Sequence, residues 1–155
     1  MLIQASVENE RDRHAVVLTT NGHSQPVAIA SRVSGFGSAA NGGELLCLAL
    51  ATCYCNDVYR EAQQRSIDVV RVNVEVDARF GAPGEAASRL AYRVRVEARA
   101  PEHAIRELIL HTDRVAEVQN TLRRGMAVAL ESYEARTIGD VDDARAAPAK
   151  TPRGA

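Results

Sequence analysis

Cysteine is the residue type in this chain best suited to covalent chemistry, and all three copies, Cys47, Cys53 and Cys55, fall within nine residues. The thiolate is both nucleophile and metal ligand, while a free thiol, with an ordinary pKa near 8.5, is mostly protonated at neutral pH. The stretch Asn41-Gly42-Gly43-Glu44-Leu45-Leu46-Cys47-Leu48-Ala49-Leu50-Ala51-Thr52-Cys53-Tyr54-Cys55-Asn56-Asp57 holds them, with the carboxylate Glu44 nine residues ahead of Cys53. On a straight helix nine residues turn through about 900°, so Glu44 and Cys53 face opposite ways, about 13 Å apart along the axis. One helix cannot join them; a common site needs a third group or a second subunit. Cys53 and Cys55 point about 200° apart, and Cys47 lies about 9 Å of helical rise from Cys53, beyond the roughly 7 Å Cα separation that a disulfide tolerates.

Each of these residues also has a plainer role. Free cysteine often only fills a core. Glu44 fits the N3 position of a capping box whose N-cap is Asn41. Cys53-Tyr54-Cys55 does not make a zinc site, because its thiols diverge on a helix, a structural zinc wants four ligands, and His14, His23, His103 and His111 show no paired spacing with it. There is no Gly-x-Gly-x-x-Gly and no P-loop. No metal and no cofactor are expected.

The elements that must position these residues follow from periodicity and turn chemistry. Leu2 to Val7 and Arg13 to Thr20 read as strands, and Asn21-Gly22 is a two-residue hairpin signal leading to a return strand from His23 to Ala30. Pro26 places that strand at an edge. Ser31 to Gly43 is a glycine-punctuated loop. A helix starts near Asn41, is apolar on every side from Leu45 to Cys55, and ends around Arg65-Ser66. An all-round apolar helix is expected to be buried. Val70 to Phe80 and Leu90 to Arg99 alternate apolar and charged residues, which predicts an antiparallel pair with one face on a core. The arginines of the other face, Arg71, Arg79, Arg93, Arg95 and Arg99, read as a solvated surface balanced by Glu75, Asp77 and Glu97. Pro101 opens a helix with Ile105, Leu108, Ile109 and Thr112 on one side; a second helix is expected from Asp113 to Arg124, stopped by Gly125. Met126 to Tyr133 reads as a last strand, and residues from about Ile138 onward as a disordered tail.

With 155 residues, 46% apolar and 25% charged, the chain is sized for one globular domain, 1–137, followed by the tail 138–155. Nineteen basic and 20 acidic residues give a net charge of −1, which argues against a nucleic-acid or anionic-membrane binder, since either needs a one-signed surface. The longest apolar run, Leu45 to Cys55, is too short to span a bilayer. Met1-Leu2-Ile3-Gln4 does not open a signal peptide, and clustered cysteines do not suit a secreted disulfide framework; a cytoplasmic protein is expected.

Glu-Leu-Leu-x₃-Leu-Ala-x-Cys, then a strand hairpin, then Ala-Glu-Val-x-Asn-Thr-Leu resembles the OsmC/Ohr family over about residues 10 to 134. The resemblance implies an α+β homodimer in which two chains intertwine around their central helices. It implies thiol-dependent reduction of organic hydroperoxides. Cys53 would be the peroxide-reactive thiol, supported by Glu44 and by an arginine of the N-terminal region. Arg11, Arg13 and Arg32 are the candidates, with Arg32 favoured for its nearness to Glu44. Peroxidase members carry a second cysteine, usually Cys-Pro, just before the segment matched to Val118-Gln119-Asn120-Thr121-Leu122. Here that place falls on Ala116-Glu117, and no cysteine follows Cys55. Regeneration would therefore fall to an external thiol or to a cysteine of the other subunit, with an apolar hydroperoxide approaching past Leu46, Leu50 and Tyr54. The alternative is a non-catalytic member that binds a small apolar molecule or senses oxidation without turnover.

Overall fold

The computed structural model describes residues 1–136, so the expected tail from 138 lies outside the described residues. One compact unit spans Met1–Gly125, and a second begins at Met126. The first unit opens with an antiparallel sheet of β1 (Ile3–Glu10), β2 (Arg13–Thr20) and β3 (His23–Pro26), in that spatial order. Asn21 and Gly22 have φ of 48° and 85°, the doubly positive pair that the predicted two-residue turn requires. The return strand is shorter than expected: it ends at Pro26, which has no N–H for a ladder and lies on the edge.

Helix α1 (Gly42–Gln64) begins with the predicted capping box. The Glu44 N–H donates to Asn41 Oδ1 at 3.0 Å, and the Asn41 N–H donates to Glu44 Oε2 at 2.7 Å. Strands β4 (Asp68–Arg79) and β5 (Arg89–Arg99) form the second sheet, an antiparallel pair. Its register shifts between Val69 and Arg71, so Val69 turns toward the core and Val70, expected inward, is left 54% exposed. On the outer face Arg93 Nη1 lies 2.7 Å from Asp77, and Arg99 Nη1 lies 2.8 Å from Asp68. These exposed pairs solvate the face and add little stability.

Two helices follow, α2 (Glu102–Val115) and α3 (Glu117–Arg123). Their break lies three residues later than the sequence suggests. Ala116, with ψ of 116°, is extended, and Asp113 to Val115 complete α2. The expected last strand from Met126 to Tyr133 does not form: residues 126–136 are irregular, with no ladder partner among the described residues.

Tyr54, Val58 and Ala62 of α1 meet Leu108 and Ala116 in the core, under Val72, Val74, Tyr92, Val94 and Val96 of the second sheet. The expectation of a helix buried all round is corrected: Leu50, Tyr54, Val58 and Ala62 form a buried i, i+4 stripe, but Leu48 is 60% exposed. Among the described residues β4, α2, α3 and the inward side chains of β5 cover α1, and the three-stranded sheet makes no extensive contact with a helix. Among the described residues no helix is long and apolar enough to cross a membrane.

Candidate functional site

Cys53, Asp57 and Arg60 recur at i, i+4 and i+7, so α1 lines them along one side, toward the start of α3. The Cys53 thiol donates to Asp57 Oδ2 at 3.5 Å. Asp57 is buried, and its other oxygen accepts from Arg60 Nη1 at 2.7 Å. Arg60 Nη1 also reaches Glu117 Oε1 at 3.2 Å, tying α1 to α3. The ligand atoms of Cys53, Asp57 and Glu117 all lie within 4.8 Å of one another. They could hold a metal ion, but Arg60 already neutralises both carboxylates and a zinc site needs a fourth donor.

Burial pushes the Cys53 thiol above its ordinary pKa, and the negative charges of Asp57 and Glu117 raise it further; only the Val118 N–H, donating to sulfur, opposes them. Burial also raises Asp57, helped by Glu117 and opposed by Arg60. Within one chain this is a resting, protonated thiol. Asp57→Asn removes one of the charges that disfavour the thiolate. It should speed iodoacetamide labelling of Cys53 at neutral pH, by up to about tenfold per unit of thiol pKa lowered. Slower labelling, followed by mass spectrometry, would show instead that Asp57 extracts the proton.

One turn on, Glu61 is 6% exposed yet charged. Arg65 Nη1 and His111 Nε2 each lie 3.0 Å from its carboxylate and Arg60 Nε lies 3.2 Å away. Burial alone would raise its pKa, but Arg65, Arg60 and His111 outweigh burial and hold it below the usual carboxylate range. A depressed folded pKa contributes stability above the unfolded value, near 4.3, that is lost as pH falls through the folded value. Glu61→Gln should therefore lower unfolding free energy by about 2 kcal/mol at pH 7, with the gap to the parent closing in acid. Urea titrations at pH 7 and pH 3 check it.

The structure gives the other predicted residues separate settings. Glu44 is held in the capping box at the far end of α1. It lines a cleft of about 390 Å³ with Cys47, Val76, Ala78 and Phe80. Cys55 borders a shallower cleft with Ala51, Thr52 and Val72. Arg32 is exposed in the loop before α1, its guanidinium against Gly37, with no acidic partner among the described residues. Arg13 is paired with Glu8 and Glu10, and Arg11 stacks on Phe36 at 5.4 Å. No hydrogen bond or ion pair joins Arg32, Glu44 and Cys53 within the described chain. Tyr54 cannot line an approach, since it is fully buried with its hydroxyl on the Ile109 carbonyl at 2.7 Å. Asp57, Arg60 and Glu117 were missed. The i, i+4, i+7 spacing could have found the first two; Glu117 arrives only by tertiary packing, immediately after Ala116, the place where the family resemblance expects a second cysteine.

A family model described as OsmC-like protein matches residues 35–131. No curated protein matches by sequence. Among solved structures, an OsmC-like protein from Mycoplasma pneumoniae superposes with a TM-score of 0.54 at 16% identity, over 78% of this chain and 85% of that one. An organic hydroperoxide resistance protein OsmC from Legionella pneumophila gives 0.52 at 17% identity, over 79% and 90%. At such identities the structures speak for the fold alone; the family match, over most of the chain, shows that this protein belongs to the OsmC-like family.

Proposed function

We propose that this chain is a thiol-dependent reductase of organic hydroperoxides, with Cys53 as the peroxide-reactive thiol. The observation that carries the reading is the setting of Cys53, whose thiol donates to Asp57 and clusters with Glu117 where α1 meets α3. Its thiolate attacks the outer oxygen of the hydroperoxide. The O–O bond breaks, an S–O bond forms, and the alcohol leaves after taking up a proton. The sulfenic acid formed condenses with an external thiol, releasing water, and a second thiol cleaves that mixed disulfide to free Cys53. No cysteine beyond Cys55 can do this from within the chain.

The thiolate needs a cation that Arg60, committed to Asp57, Glu61 and Glu117, does not supply. In this reading Arg32 supplies it across a homodimer, oriented by Glu44. Two features support the dimer. The N-terminal sheet buries neither face well, leaving Leu2, Ile3 and Val7 about 60% exposed, and three strands alone are marginal in water. Leu48 lies bare on α1. Sedimentation should find a particle of twice the chain mass. Unpaired Arg32 suits the role better than Arg11 or Arg13.

The test is oxidation with one equivalent of cumene hydroperoxide in the presence of dimedone, followed by peptide mapping. The adduct is expected on Cys53; labelling confined to Cys47 or Cys55, or no labelling, overturns the assignment. Labelling of Cys53 without turnover would instead describe an oxidation sensor, the reading that the missing second cysteine favours.

A further inference from the structure

Gln119 of α3 is 3% exposed, and its Nε2 donates to the Leu50 carbonyl at 3.1 Å. That bond fixes the amide's orientation, because a carbonyl can only accept. The oxygen, Oε1, is sealed from solvent and receives no hydrogen bond among the described residues. A buried acceptor without a donor is costly and calls for an explanation. Gln119 is also a wall of a cleft of about 140 Å³, with Leu50, Leu90, Leu122, Tyr92 and Arg123 around it. A cavity of roughly 150 Å³ with apolar walls takes a benzene ring.

The cleft's other polar groups are engaged. The Tyr92 hydroxyl donates to Asp113. Arg123 donates to the Asp113 carboxylate at 2.5 Å, the Asp113 carbonyl at 2.7 Å and Asn120 Oδ1 at 3.2 Å. With its charge answered, Arg123 gives an anionic ligand no advantage. The wall offers leucine surface, and Gln119 behind it carries one unpartnered acceptor.

We propose that this cleft binds a small neutral molecule of the phenol class: an apolar body the size of a six-membered ring, seated on Leu50, Leu90 and Leu122, whose single hydroxyl donates to Gln119 Oε1. Because the oxygen is sealed, binding requires a lining side chain to move, and Leu90 and Leu122, 38% and 40% exposed, are the lining leucines with freedom to do so. The binding is independent of the chemistry assigned to Cys53 and stands or falls without it.

The experiment is a titration of the isotope-labelled full chain with phenol, toluene and benzoate, followed by NMR. Phenol should shift the Gln119 side-chain amide and the backbone amides of Leu122 and Arg123 saturably. Toluene, of equal size but without a donor, should bind about fivefold more weakly, the worth of one neutral hydrogen bond. Benzoate should gain nothing from Arg123. Gln119→Leu should bring phenol down to the level of toluene. Because that variant also loses the bond to Leu50, Leu122→Trp, at a half-exposed position, gives a second arm: it fills the cleft, keeps Gln119, and should abolish both. Equal binding of phenol and toluene, a phenol preference that survives Gln119→Leu, tighter binding of benzoate, or no saturable shift at these residues overturns the proposal.

Discussion

Tyr54→Ala should lower the free energy of unfolding by about 4 kcal/mol, seen as a lower urea midpoint with little change in slope. Tyr54 has no exposed surface. It packs with Val58 and Leu108, and its ring lies 5.2 Å from that of Tyr92 at 54°. Truncation removes the ring's buried area, leaves a cavity that the surrounding helices and sheet close only in part, and strips the Ile109 carbonyl of a donor. Burial, followed by the negative charges of Tyr92, Asp113 and Asp57, pushes the Tyr54 pKa up, so the phenol stays neutral and donating through the whole stable range. A loss of this size would take a large part of a typical domain's margin. A loss under about 1 kcal/mol would mean that α1 and α2 repack freely and that the core assigned here does not hold Cys53 in place.

The frame around the site was legible because its signals are local. Asn41 and Glu44 announce the capping box, Asn21-Gly22 the hairpin, and the valines of β4 the inward face of the second sheet. Three things were not legible, each for a physical reason. The bulge at Val69 exchanges the facing of Val69 and Val70, and nothing in an alternating pattern marks where one residue slips. The break at Ala116 occurs at a good helix former, so propensity pointed elsewhere; tertiary contact decides it, with Ala116 fully buried against α1. Residues 126–133 have the composition of a strand, but a strand exists only by its ladder, and the described chain offers them none.

The site divides the same way. Cys53 stood out by residue type and by family resemblance. Asp57 was not singled out by the sequence, yet it is buried with Arg60 Nη1 on its carboxylate. Glu117, fifty-seven residues beyond Arg60, joins it only once α3 has folded back on α1. Glu44, fixed at the start of α1, cannot meet Cys53 on the same helix, as helix geometry requires, and Arg32 in the preceding loop makes no hydrogen bond or ion pair with either among the described residues. The homodimer proposed above leaves that separation to a second copy, for which the exposed apolar side chains of β1 and α1 would be the docking surface.

Substitution of Cys53 has the largest functional effect expected. Serine keeps the size and can still donate to Asp57, but its hydroxyl does not ionise near neutral pH and cannot accept oxygen from a peroxide as sulfur does. Cys47 and Cys55 lie outside the cluster of Asp57, Arg60 and Glu117 and cannot take over. With no later cysteine in the chain, the rate should also rise with the concentration of the external thiol until attack on peroxide limits it. The deciding measurement is therefore consumption of cumene hydroperoxide by the purified protein with dithiol in excess, beside Cys53→Ser. Many equivalents consumed per chain, falling to the uncatalysed rate in the variant, is the predicted result; one equivalent or less from the parent protein, or turnover that survives in Cys53→Ser, would contradict it.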